Sequence, residues 1–111
     1  MRMLFLIVLL GILISTVIAA QTLMGTSSGV VQDALRNGLH DVEVTLTNVE
    51  TGKSYKAITN GSGEYRLDLP EGKYELKAEL PGFQRLKKSG VEIKESRTTK
   101  LNLRLIVGTF S

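Results

Sequence analysis

Cysteine and tryptophan are both absent from this chain, and 111 residues contain one histidine and two prolines. With no disulfide available, any fold must rest on core packing and strand pairing. The same absence removes thiol nucleophiles. His40 alone gives no zinc-ligand spacing, and no serine sits in the strand-to-helix elbow that a hydrolase nucleophile needs. These shortages point away from an enzyme and away from any bound cofactor. Charge of one sign is scarce too. Lys and Arg number 14 against 11 Asp and Glu, and the two signs alternate along the chain. The basic stripe with interleaved aromatic rings that a nucleic-acid partner requires is missing, and only Arg85-Leu86-Lys87-Lys88 forms a local basic segment.

Long apolar runs are confined to the start. Arg2 precedes an unbroken apolar stretch, Met3–Ile14, and Ser15-Thr16 leads to Val17-Ile18-Ala19-Ala20. This is the order of charged start, apolar centre and small-residue exit found in a secretory signal peptide. Residues 1–20 are therefore expected to be a signal peptide and residues 21–111 one domain, secreted or periplasmic. If the segment is retained, Met3–Ala20 just reaches the roughly 17–25 residues that span a bilayer, and the protein becomes membrane-anchored. No cysteine follows the apolar run, so a lipid anchor at the exit has no attachment point.

After residue 20 helical periodicity disappears. Short alternating segments recur between Gly, Asn and Pro punctuation. Val42, Val44 and Leu46 alternate with Glu43, Thr45 and Thr47, which are expected to face water. Tyr65, Leu67 and Leu69 share one face of Glu64–Leu69, and Tyr74, Leu76, Ala78 and Leu80 one face of Lys73–Leu80. Further strands are read at Leu23–Asp33, Ser54–Asn60, Gln84–Ile93 with Val91 and Ile93 in phase, and Thr99–Ile106 with Leu101, Leu103 and Leu105 inward. In Ser54–Asn60 parity is ambiguous: an inward Tyr55, Ala57 and Thr59 would leave Ile58 outside, and strands that break alternation are edges or are covered by a neighbour. Seven strands at this spacing predict an all-β fold, a seven-stranded antiparallel β-sandwich.

The order of these signals resembles the carboxypeptidase regulatory-like domain, a prealbumin-like (transthyretin-like) β-sandwich in the carbohydrate-binding-like fold class, related to the Cna B-type repeat. The matching residues are Gly29-x-Val31-x-Asp33, Val42-x-Val44-x-Leu46, Thr51-Gly52, Thr59-Asn60-x-x-Gly63-x-Tyr65, Leu69-Pro70-x-Gly72-x-Tyr74 and Pro81-Gly82-Phe83. They cover about residues 23–107. Asn60 stands where the family more often has Asp. The chain closes on Val107-Gly108-Thr109-Phe110-Ser111, a point from which bacterial outer-membrane relatives continue into a transporter's plug and barrel. The expectation is accordingly a solitary exported module or a truncated gene. The Cna B-type relatives suggest an internal Lys–Asn isopeptide bond, but no lysine precedes Lys53 and Asn102 has outward parity.

What the resemblance implies is a non-catalytic exported module for protein interaction or structural support at the cell envelope. The partner would be an envelope or extracellular protein, with a carbohydrate-binding module for a polysaccharide as the alternative. Tyr65 and Tyr74 have core parity, which leaves Tyr55 and Phe110 as the rings available to a glycan. Tyr55, Ile58, Arg85, Lys87, Lys88 and Phe110 are the candidate contacts. Asp33, Asp41 and Glu43 are a weak calcium set, because acidic residues in β loops are ordinarily solvated. Asn60-Gly61-Ser62 is a glycosylation sequon that the bacterial character of the resemblance leaves idle.

Overall fold

Alternating side chains become strands wherever one face has something to pack against, and here two sheets supply it to each other. The computed structural model describes residues 22–108; the stretch read as a signal peptide, and Phe110, lie outside the described residues. Among the described residues the strands are β1 (Met24–Gln32), β2 (Glu43–Asn48), β3 (Ser54–Ile58), β4 (Glu64–Pro70), β5 (Gly72–Glu79), β6 (Leu86–Ile93), β7 (Thr98–Lys100) and β8 (Leu103–Arg104). One sheet runs β4-β1-β7 with β8 also on β1, and the other runs β3-β2-β5-β6. The sandwich expected from the sequence is present.

The core lies between the sheets. Val42, Val44, Leu46, Tyr74, Leu76, Ala78, Val91 and Ile93 come from one side, and Val31, Tyr65, Leu69, Leu103 and Leu105 from the other, all buried. Each fully buried Val, Leu, Ile or Tyr contributes roughly 1.5–3 kcal/mol before chain entropy is subtracted. Two tyrosines keep their hydroxyls bonded inside this core. Tyr65 donates to Leu101 O at 2.8 Å, and Tyr74 donates to Pro70 O at 2.6 Å.

Three details differ from the sequence reading. The last strand is split: β7 and β8 flank Leu101-Asn102, whose backbone swings in close over β1. Gly29 permits this approach, since a Cβ there would sit 1.8 Å from Leu101 O. The second difference is direction. β1 pairs with β4 antiparallel but with β7 and β8 in parallel, so the sheet is mixed. Thr45 is the third: it is buried, although its parity is outward. It lies between Lys56 of β3 and Lys77 of β5 in the register, and long lysine stems cover a small neighbour on a central strand.

Loops are held by side chains standing in for backbone. The Asp33 carboxylate accepts from the Leu35 and Asn37 N–H groups, both at 2.9 Å. Asn48 Oδ1 accepts from Glu50 and Thr51, and Asn60 Oδ1 from Ser62 and Glu64. Gly63 has φ 80° and packs against the Val31 carbonyl, where a Cβ would lie 2.5 Å away, so the position admits glycine alone. Leu80-Pro81-Gly82-Phe83 closes with a Phe83 N–H to Leu80 O bond of 3.1 Å, Gly82 taking φ 89°. Pro followed by Gly in the two central positions is the signature of a type II turn.

Candidate interaction edge

A sandwich has strand edges, and each edge either has its peptide groups occupied or offers them to another chain. Bonded and non-bonded pairs alternate along an antiparallel ladder, so a few hydrogen bonds fix the whole pattern. Asn48 N–H donates to Lys53 O and Thr59 N–H to Val42 O. In the β2–β3 register, Tyr55 and Ala57 then bond inward to β2. Ser54, Lys56 and Ile58 turn their N–H and C=O groups to the open side.

The other edges are obstructed. On β4, Val31 N–H donates to Gly63 O, which sends Tyr65, Leu67 and Leu69 inward to β1. Glu64 is closed by Asn60 through two bonds, and Pro70 has no N–H and gives its carbonyl to Tyr74. Only Arg66 and Asp68 remain. On β6 the register shifts between Tyr74 and Leu76, an extra residue that makes a bulge at Ser89-Gly90, with Gly90 at φ 72°. Glu92 O accepts from Thr99 Oγ1 at 3.0 Å, and Lys87 and Lys88 line the rest. β7 and β8 are three and two residues long. Bulges, lysines, prolines and shortness are the usual means of blunting an edge. Among the described residues, β3 carries the longest uninterrupted set of open peptide groups.

The sequence candidates fall on two opposite edges of one sheet. Tyr55 and Ile58 belong to β3 and Lys87 and Lys88 to β6, with Arg85 just before it. They stand about 14 Å apart across β2 and β5, at roughly 4.8 Å per strand. Ile58 is 56% exposed. Tyr55 is half-buried, its ring edge-on to Tyr74 at 6.1 Å and 69°, with Lys53 Nζ 5.6 Å from its centroid. The Tyr55 ring is thus packed on one side and has a cation over it. Arg85 reaches Glu79 at 3.5 Å, and Lys77 reaches the same carboxylate at 3.0 Å. The hydrogen bond from Lys77, helped by the Arg85 charge, holds the Glu79 carboxyl below the usual carboxylate range.

Beside β3 the two sheets do not close fully. The inward residues Tyr55, Ala57 and Leu67 are only half-buried against the core. A groove of about 470 Å³ starts there, with Ala57, Ile58 and Tyr65 in its wall, and runs onto the outer face of the other sheet past Ser28, Arg66 and Lys100. Sequence parity finds the outward Ile58 but not the groove, which depends on how far β3 and β4 stand apart. It also misses Asn102, whose Oδ1 turns back to accept Val30 N–H at 3.2 Å and so replaces a ladder carbonyl at the break between β7 and β8. The one available clue is a polar amide inside an otherwise leucine-alternating strand.

The acidic residues considered for calcium do not converge. Asp33 serves its own loop. Its carboxyl lies below the ordinary value, chiefly because it accepts the Asn37 N–H. Asp41 pairs with His40 at 3.0 Å and Glu43 with Lys56 at 3.1 Å. Among the described residues no three His, Asp or Glu side chains cluster as metal ligands.

Residues 26–106 match the carboxypeptidase regulatory-like domain. The chain belongs to that family. Similar curated proteins are much longer. The TonB-dependent transporter Oar of Myxococcus xanthus is 30% identical over 103 residues, which cover 90% of this chain and 9% of the transporter. Colossin-B of Dictyostelium discoideum is 36% identical over 56 residues, 48% of this chain and 2% of its own length. Among solved structures, the Bacillus anthracis TIE protein superposes with a TM-score of 0.65 at 21% identity, covering 77% of this chain and 17% of that one. GBS52, the minor pilin of Streptococcus agalactiae, gives 0.60 at 16%, covering 81% and 47%. Catechol 1,2-dioxygenase from Pseudomonas arvilla C-1 gives 0.64 at 11%, covering 83% and 55%. Identities this low report the regulatory-like domain's sandwich and nothing of its chemistry.

Proposed function

We propose that this regulatory-like domain is a non-catalytic, exported interaction module of the cell envelope, which binds a partner protein by adding a strand to β3. The observation that carries the proposal is the set of unpaired peptide groups at Ser54, Lys56 and Ile58 on an edge with no bulge, proline or cap, Lys56 being the one blunting side chain on it. Strand addition draws affinity from main-chain hydrogen bonds and specificity from alternate side chains. Kinship with a TonB-dependent transporter and a fold shared with a minor pilin support an envelope setting. The polysaccharide alternative needs Tyr55 and Phe110; the packing of the Tyr55 ring against Tyr74 weighs against it, and Phe110 lies outside the described residues.

Proline at position 56 tests the proposal. The Lys56 N–H faces the open edge, so Lys56→Pro removes no internal ladder bond, and proline is tolerated on edge strands. Wild type and variant, matched for thermal stability, would be compared for cross-linking to envelope proteins. The expected result is one dominant cross-linked partner that the variant loses. Equal cross-linking by both proteins would refute strand addition at β3.

A further inference from the structure

We infer that the end of the sandwich where β1 passes into β2 is a self-association surface, on which two copies of this chain exchange Leu35 and Arg36. The inference goes beyond the β3 reading and does not depend on it. The turn at residues 33–37 closes β1 and returns through the Gln32–Gly38 bridge. β5 finishes at the same end, since Glu79 pairs with Glu43 at the start of β2. A projection and a recess therefore lie side by side there. The projection is Leu35, 82% exposed. Its loop is knit together: the Asp33 carboxylate accepts from the Leu35 and Asn37 N–H groups, Asp33 N–H donates to Asn37 O, and Arg36 N–H donates to Asp33 O. A side chain offered on a preorganised loop loses little freedom on binding. The recess measures about 530 Å³, with Leu39, Leu80, Pro81 and Phe83 as its apolar lining and His40 and Asp41 beside them. Leu39, Leu80 and Phe83 pack on the core yet stay only half-buried.

Charge matches shape. Arg36 follows Leu35 and has no ion pair among the described residues. Asp41 pairs with His40 at 3.0 Å and, among the described residues, with no lysine or arginine. Both residues are left-handed, Arg36 at φ 66° and Asp41 at φ 63°, where a non-glycine residue is uncommon. Backbone bonds hold them there, Arg36 N–H to Asp33 O and Asp41 N–H to Thr59 O, so each charge starts from a fixed point of the end surface. The unpaired cation belongs to the projection and the carboxylate to the recess. Because both lie on one end of one molecule, a two-fold axis seats each Leu35 in the other copy's recess. The same axis sets each Arg36 against the other copy's Asp41. That is an isologous contact, in which every interaction is made twice. The end of so small a domain offers limited area, and contacts below about 1,200 Å² are weak and transient, so a Kd on the order of 100 μM is expected.

Sedimentation equilibrium of the full chain, with ¹⁵N amide shifts followed against protein concentration, tests the inference. Wild type should dimerise, with the largest shifts at Leu35, Arg36, Asp41 and Phe83. Arg36→Glu places its new charge against the other copy's Asp41, and Asp41→Arg places its own against the other copy's Arg36. Each variant alone should therefore dimerise about tenfold more weakly. An equimolar mixture of the two restores both opposite-charge pairs and should return to the wild-type affinity, a recovery that also shows both variants to be folded. Leu35→Ser should abolish dimerisation with no fall in melting temperature, because the side chain it shortens is exposed in the single copy. A wild type that stays monomeric up to about 1 mM would overturn the inference. So would association that both variants keep, which any other surface, β3 and the apolar N-terminal stretch included, would give. Loss in both variants without recovery in the mixture would overturn it as well. The edge reading at β3 stands in each of these cases.

Discussion

Replacing Gly29 with alanine should cost this domain a large part of its stability through one methyl group. Gly29 has ordinary backbone angles, so the penalty is steric. Its added Cβ would lie 1.8 Å from Leu101 O and 2.6 Å from Leu101 C. Both are backbone atoms, which no side-chain rotation can move aside. Relief requires the Leu101-Asn102 segment to lift from β1. Three bonds are then strained or lost: Leu101 N–H to Ser28 O (2.8 Å), Tyr65 OH to Leu101 O (2.8 Å) and Val30 N–H to Asn102 Oδ1 (3.2 Å). At about 0.5–1.5 kcal/mol for each net bond, the loss is about 2–4 kcal/mol. For a domain this small that is a fall of about 10–25 °C in melting temperature. Gly61→Ala is the control, because nothing lies within 4 Å of its Cβ position, and it should stay within about 0.5 kcal/mol of wild type. Calorimetry and urea melts of the two variants decide the matter. If Gly29→Ala melts within a few degrees of Gly61→Ala, the close crossing of Leu101 over β1 is wrong.

Further outcomes follow from single groups. Burial raises the Tyr65 and Tyr74 hydroxyl pKa values above the ordinary range. Stability should therefore hold below the unfolded tyrosine value of about 10 and fall as pH rises beyond it. Urea midpoints across that range should show the fall, and Tyr74→Phe should flatten it while costing about 1 kcal/mol at neutral pH. Asp33 and Glu79 have lowered values, so their contribution is present above the unfolded carboxylate range of about 4 and disappears as pH falls through the folded values. Added salt should weaken the Glu79 share, which depends on Lys77 and Arg85, more than the Asp33 share, which comes from loop N–H groups. Asn102→Leu should cost about 1 kcal/mol and speed hydrogen exchange at Val30 more than at its neighbours on β1.

The sequence reading located the core because Val42-x-Val44-x-Leu46 and Tyr74-x-Leu76-x-Ala78 alternate without exception, and burial on one face leaves no other register. It left Ser54–Asn60 as either an edge or a covered strand, because an inward Tyr55, Ala57 and Thr59 puts Ile58 outside, and the strand order decides for the edge. It missed the parallel pairing of β1 with β7 and β8, since a period of two carries no information about strand direction. It missed the break at Leu101-Asn102 because Leu101, Leu103 and Leu105 keep their phase across it. Thr45 was misplaced because its cover comes from Lys56 and Lys77, neighbours in space and not in sequence. The groove beside β3 was unreadable for the same reason: Ala57, Tyr65 and Arg66 each look ordinary alone, and only the separation of two strands from different sheets makes them a wall.

The parallel alignment of β1 with β7 and β8 has a mechanical consequence. The start of β1 and the end of β8 lie toward opposite ends of the sandwich, so tension between them drags the two strands along their shared axis. The bonds Thr26–Arg97, Ser28–Leu101, Val30–Asn102 and Gln32–Leu105 are then loaded together in shear. Had the terminal strands been antiparallel neighbours, the same pull would have peeled them apart one bond at a time. A pull between those two ends would have to break these bonds together, and Gly29, which lets the strands close on each other, sits in the middle of that joint.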